Sequence, residues 1–225
     1  MTRIRTRRYR AWCMASFFAL GCSGVIATPC PPHAEETFRG ECSLLLKNGD
    51  FTELRNVGTR ALRWSHLAYW SATDRYNNLG IEHDGRWGSV LPANGHAIWQ
   101  ELSAMDIGPQ QRGNFALRFA VANLDAPGGT LSVGLLLFAP NGDLLESRGM
   151  TVVPDGSPWR DYALGMRVSS VPEGARLKVV FRRDGNKGGK RLAVSSVSLH
   201  QLVGDNLVRR ADQAQFRAKH PRQGP

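Results

Sequence analysis

The chain has 225 residues, 24 of them glycine, and a formal net charge of +10. That length suits an export segment plus one domain with a core of its own. The charge suggests a nucleic-acid partner until it is located. Arg3, Arg5, Arg7, Arg8 and Arg10 precede the first apolar run, and the segment from residue 204 adds five basic and two acidic residues. Setting both ends aside leaves 19 basic and 17 acidic residues, or +2, which excludes a nucleic-acid footprint for the domain itself.

In chain order, the basic start is followed by an apolar run from Ala11 to Gly21. It has the length of a signal-peptide core and falls short of the roughly 20 residues a membrane span requires. Two processing readings stay open. Val25-Ile26-Ala27 fits cleavage after Ala27, giving a signal segment 1–27. Ala19-Leu20-Gly21-Cys22 resembles a bacterial lipoprotein box, giving a signal 1–21 and a lipidated Cys22 held at the outer membrane. Either way the chain is expected outside the cytoplasm, in the periplasm or beyond. Residues 28–40 read as a Pro-rich linker. After processing, Cys30 and Cys42 are the remaining pair, and in an oxidising compartment they are expected to form a disulfide. A loop of this size would stabilise by roughly 2–3 kcal/mol.

Leu44-Leu45-Leu46 stops at Asn48-Gly49-Asp50-Phe51. Asn and Gly tolerate positive φ, so the first strand must turn there. From residue 53 to 94 the pattern is irregular and aromatic, with Trp64, Tyr69, Trp70, Tyr76 and Trp87. The stretch is too long and too aromatic for an inert connection and reads as short strands and binding loops. Residues 97–102 form the next strand. Residues 115–122 alternate, with Phe115, Leu117, Phe119 and Val121 on one face and Ala116, Arg118, Ala120 and Ala122 on the other. Leu131 to Leu135 repeats the pattern, and Asn141-Gly142-Asp143 is a hairpin signal. Trp159 to Leu164 alternates again. Leu177, Val179 and Phe181 oppose Arg176, Lys178, Val180 and Arg182. Leu192 to Leu199 is the last strand. Short strands with regular turn signals predict an all-β, two-sheet antiparallel sandwich over 41–203. The basic tail 204–225 reads as disordered.

The order Leu45 to Phe51, Trp99-Gln100-Glu101-Leu102, Phe115 to Phe119, Trp159-Arg160-Asp161-Tyr162, Leu177 to Phe181 and Val194 to Leu199 resembles the jelly-roll carbohydrate-binding modules appended to bacterial glycanases, within the galactose-binding-like fold. The resemblance spans about residues 41 to 203 and implies a glycan groove. Its implied site residues are Trp64, Trp70, Tyr76 and Trp87 in the loops, with Gln100 and Arg118 on strands of the concave sheet. Rings cover the C–H faces of sugars, and planar polar groups bond their hydroxyls. Trp99 and Trp159 match aromatics that the resemblance assigns to core or edge packing. Family members often hold calcium with carboxylates where this chain has Thr52, Ser195 and Ser196. That leaves only a weak calcium possibility at Asp50 and Glu53.

Glu82 and Asp84 have the i, i+2 spacing of a carboxylate pair, and His66, His83 and His96 are scattered. No nucleophile elbow or metal-ligand spacing accompanies them, so no catalysis is expected. Two functions remain: a non-catalytic, secreted or tethered module for a polysaccharide or oligosaccharide, or an adaptor of envelope or exopolysaccharide assembly acting through protein contacts on the same fold.

Overall fold

The computed structural model describes residues 35–36, 41–44, 46–55, 66–73, 79–107, 113–125, 129–156, 158–185 and 191–202. The export segment, Cys22, Cys30 and the basic tail lie outside them. The early strands are short: β1 (Glu35–Glu36), β2 (Glu41–Leu44), β3 (Leu54–Arg55), β4 (His66–Leu67), β5 (Ser71–Ala72), β6 (Leu79–His83) and β7 (Arg86–Leu91). The later ones are longer: β8 (Ala97–Leu102), β9 (Gly113–Asn123), β10 (Thr130–Phe138), β11 (Leu144–Val152), β12 (Arg160–Val168), β13 (Arg176–Asp184) and β14 (Leu192–Leu202). One helical turn, α1 (Ala104–Ile107), follows β8. These strands form the expected two-sheet antiparallel sandwich. The larger sheet runs β1-β2-β14-β7-β6-β4-β3, with β9 also on β14 and β12 on β9; the smaller runs β11-β10-β13-β8-β5.

β1 falls inside the stretch read as linker. Glu35 pairs with Ser43 and Glu36 with Cys42, so the sheet begins before residue 41. Two residues are too few to show alternation. Cys42 is buried, while Cys30, its expected disulfide partner, is outside the described residues.

β14 organises the larger sheet. One edge bonds β9 along its length. The other is shared, Leu192–Val194 pairing β7 and Leu199–Leu202 pairing β2. Between them a bulge spans Ser195 to Ser198, with Ser196 at φ 51. The turn after β2 docks into this gap. Val197 N–H donates to Gly49 O at 2.7 Å, and a Cβ at Gly49 would collide with the Val197 carbonyl oxygen. Gly49 is therefore required by a close backbone approach, whereas the positive φ values belong to Asn48 (52) and Phe51 (60).

That turn delivers Phe51 to the core, where a run of rings crosses the sandwich. Phe51 lies 5.1 Å from Trp70, Trp70 6.1 Å from Phe181, Phe181 5.3 Å from Phe119, and Phe119 5.8 Å from Tyr162. The inward rows of β9 and β13 meet in this layer as alternation requires. Each fully buried ring or branched aliphatic contributes about 1.5–3 kcal/mol of transfer free energy.

Candidate functional site

Trp64 and Tyr76 lie outside the described residues. Trp70 is buried in the core, its Nε1–H donating to Asn48 O at 3.0 Å. It is not a surface stacking ring. The reason is local: Tyr69 takes φ 65, which reverses the chain, sends Trp70 inward and leaves Tyr69 45% exposed with Lys47 Nζ 5.4 Å from its ring centre. Gln100 is also buried. Its Oε1 accepts from Lys47 N–H at 2.8 Å and its Nε2 donates to Lys47 O at 2.9 Å, so it clamps the turn and offers little to a ligand.

Asn48 completes that clamp. Its Oδ1 accepts from Glu53 N–H, and its Nδ2 donates to Glu53 O and Ala68 O, at 2.9 to 3.0 Å. Trp87 stands half-buried on β7 beside Gly80. Arg118 stands half-buried on β9 between Ala163 and Ser198. Since Leu117 and Phe119 fill the core, Arg118 faces outward.

The outward face of the larger sheet is where described residues converge. Its floor is small: Ala116, Ala120 and Ala122 of β9, Gly165 of β12, Gly88 of β7 and Ser195 of β14, all buried. Trp159, just before β12, lies across this floor. A Cβ at Gly88 would stand 2.7 Å from the tip of its indole and 2.8 Å from Val194 O, so glycine is needed there for the ring to settle. Trp159 Nε1–H donates to His83 O at 2.7 Å. The His83 ring meets the indole edge-on with centres 6.0 Å apart, and the Arg86 guanidinium sits 5.8 Å from the indole centre. Arg86 pairs with Asp161 at 3.5 Å; both are solvated, so the pair contributes little to stability. His200 Nε2 stands 3.1 Å from Ser198 Oγ on the same face. An anchored indole beside guanidinium, carboxylate and imidazole groups can cover an apolar ligand face and bond a polar rim.

Trp159 thus packs neither in the core nor at an edge, as the resemblance implied, but across the outward face of the larger sheet. Sequence reasoning missed its neighbours Arg86, His83 and Asp161, because only the sheet that links β6 and β7 to β12 through β14 and β9 brings them together. The outward face of the smaller sheet is different. There Trp99 lies under Lys178 Nζ at 4.8 Å, Arg176 pairs with Glu101 at 2.9 Å, and Arg182 with Asp184 at 2.8 Å.

At Asp50 and Glu53, the calcium candidates, the surroundings are those of a turn. The Asp50 carboxylate accepts from Thr52 Oγ1 at 3.0 Å, and the Glu53 backbone is taken by Asn48. Ser195 Oγ donates to Trp87 O. Among the described residues no three His, Cys, Asp or Glu side chains gather as a metal set. Glu82 lies on β6 and Asp84 in the following turn at φ 48, so their spacing does not make a facing carboxylate pair. The clearest displaced carboxyl is elsewhere. Asp125 is lowered to about 2 by side-chain and backbone hydrogen bonds from Arg191.

No protein-family model matches the chain, and no curated protein does. Solved structures similar to it include the enzymatically active domain of bacteriophage CBA120 tailspike protein 4, 17% identical, with a TM-score of 0.46 and covering 70% of this chain. The matched region is 21% of the tailspike chain, so this chain spans about a fifth of that protein's length. A cyclase from Fischerella sp. TAU is 11% identical with a TM-score of 0.49, covering 74% of this chain and 100% of the cyclase. A CBM4 carbohydrate-binding module is 12% identical with a TM-score of 0.41, covering 69% of this chain and 98% of the module.

Proposed function

We propose that the chain is an exported, non-catalytic glycan-binding module that offers the outward face of its larger sheet to saccharide. The observation that carries this is Trp159, fixed by its bond to His83 O and laid over Gly88, with Arg86, Asp161 and Arg118 on the same face. The motif order in the sequence supports the same reading. The Arg-rich start and apolar run support export, as a soluble product or as a lipoprotein through Cys22. Cys42 pairs with Cys30 in this reading, tying the linker to the sheet.

The test is retention on soluble and insoluble polysaccharides, paired with thermal melts. Trp159→Ala and Arg118→Ala should each lose retention, while Arg118→Ala keeps the parent melting temperature. Parent-like retention by both variants would remove this face from consideration. The adaptor reading is favoured by one observation, the exposed Leu144, Leu145 and Val153 at the rim of the smaller sheet. A parent that retains no polysaccharide would move the weight to it.

A further inference from the structure

Among the described residues, β11 pairs with β10 alone and closes one side of the smaller sheet. Its other edge pairs with no other strand among the described residues. Six consecutive residues, Leu144 to Gly149, are exposed, with Leu144 at 52% and Leu145 at 45%. A long, exposed, partly apolar edge is a template for another strand. It carries no proline and no bulge between Glu146 and Val152 to block one.

The residues on β11 select which strand. Glu146 and Arg148 share one face; Ser147 and Gly149 share the other, while Leu145 is the extra residue of a bulge where β10 passes from Leu137 to Phe138. An antiparallel copy of β11 centred on Ser147 sets Glu146 opposite Arg148 of the second copy, and two-fold symmetry repeats the pair. On the other face Ser147 meets its own copy, flanked by Gly149. Gly149 is itself paired with Gly134 on β10, and a Cβ built there would meet only Val133 O, at 3.5 Å, so that face is open to an incoming strand. Centring the pairing on Glu146 or on Arg148 would bring like charges face to face, which is unfavourable in cross-strand pairs.

We infer that β11 is a self-association edge: a second copy of this chain adds its own β11 antiparallel about a two-fold axis at Ser147, joining the two five-stranded sheets into one. The contact is strand-sized, so the dimer forms in a concentration-dependent way. It does not depend on glycan binding, because the outward face of the larger sheet is not involved.

Sedimentation velocity on the full chain, from micromolar to millimolar, tests this. The parent should pass from monomer to dimer. Glu146→Arg and Arg148→Glu should each weaken association roughly tenfold, since by symmetry each replaces two attractions with two repulsions. Mixing the two variants should restore it as a heterodimer, because each then meets the complementary charge, and the Glu146→Arg/Arg148→Glu double variant should self-associate like the parent. A parent monomeric throughout the range overturns the inference. So does association unaffected by either variant, or variants that stay apart when mixed. A monomer whose β11 amides are protected from exchange only while residues 204–225 are present also overturns it, by giving the edge to the chain's own tail.

Discussion

Two tryptophans divide the molecule. Trp70 and Trp159 each anchor their indole N–H on a backbone carbonyl, Asn48 O at 3.0 Å and His83 O at 2.7 Å. What surrounds the ring separates them. Phe51 and Phe181 enclose Trp70, whereas Trp159 rests on a glycine with an arginine alongside. The first holds the sandwich shut and the second furnishes a surface. An anchored ring is thus assigned by its partners across the fold, and the residues flanking it in sequence are a poor guide.

The strongest way to break the comparison is to remove each ring. Trp70→Ala should lower stability by about 3–5 kcal/mol, the range for emptying a buried aromatic site. Denaturant titration reads it, and the fraction that folds should retain polysaccharide like the parent. A stable Trp70→Ala that loses binding would return Trp70 to the site. Gly49→Ala attacks the same region without touching a ring. Its Cβ meets the Val197 backbone, which cannot rotate away, so a loss of about 1–3 kcal/mol is expected in thermal melts. A neutral result would mean that the β14 bulge yields.

Trp159→Ala should cost about 1–3 kcal/mol of glycan affinity, the usual effect of truncating an aromatic anchor. Titration calorimetry against the retained polysaccharide measures it, and Trp99→Ala on the opposite face serves as the comparison that should bind normally. The smallest effect concerns neither ring. Asp125 is held at about 2 against an ordinary 3.8 by Arg191, which bonds it at 2.8 Å through Nη2 and through its backbone N–H. A depressed carboxyl stabilises the fold above its unfolded value and loses that contribution as pH falls towards the folded one. Asp125→Asn should therefore flatten the decline between about pH 4 and pH 2, and cost under about 1 kcal/mol at neutral pH because the pair is partly solvated. Acid melts of the two proteins that run parallel would show that the pair does not matter.

Much of the fold was legible. Alternation placed Phe115, Leu117, Phe119 and Val121 inward, and Asn48 with Gly49 marked the turn. The reason for Gly49 was not legible, because the carbonyl it must clear belongs to a residue 148 positions later. Trp70, between Tyr69 and Ser71, reads as a loop aromatic until a positive φ at Tyr69 turns it inward, and side-chain periodicity carries no mark of such a reversal. Gln100 has the same difficulty: an amide on a strand suits a ligand and a backbone clamp equally, and only the nearness of Lys47 decides. The outward direction of Arg118 was legible because its strand alternates without interruption, but its strand and that of Gln100 lie in different sheets and not together in one concave sheet. Trp159 reads in the sequence as core or edge packing, and its place across the outward face was not legible, since Gly88, the residue it rests on, is brought beneath it by pairing through β14.

The pairing of β2 with β14 has a mechanical consequence. Glu41, where β2 begins, stands directly opposite Leu202, where β14 ends. Tension applied through these two points would load their hydrogen bonds in sequence, as a zipper opens, and would not shear them together. Peeling would run from Leu202 to Leu199 and then reach the bulge, where Val197 grips Gly49 and the resistance changes from a ladder to a packed turn. Single-molecule pulling between the two ends should show a low-force opening followed by a distinct second rupture. A module held to a surface at one end and dragged from the other would give way first at this seam, leaving the core of the sandwich standing.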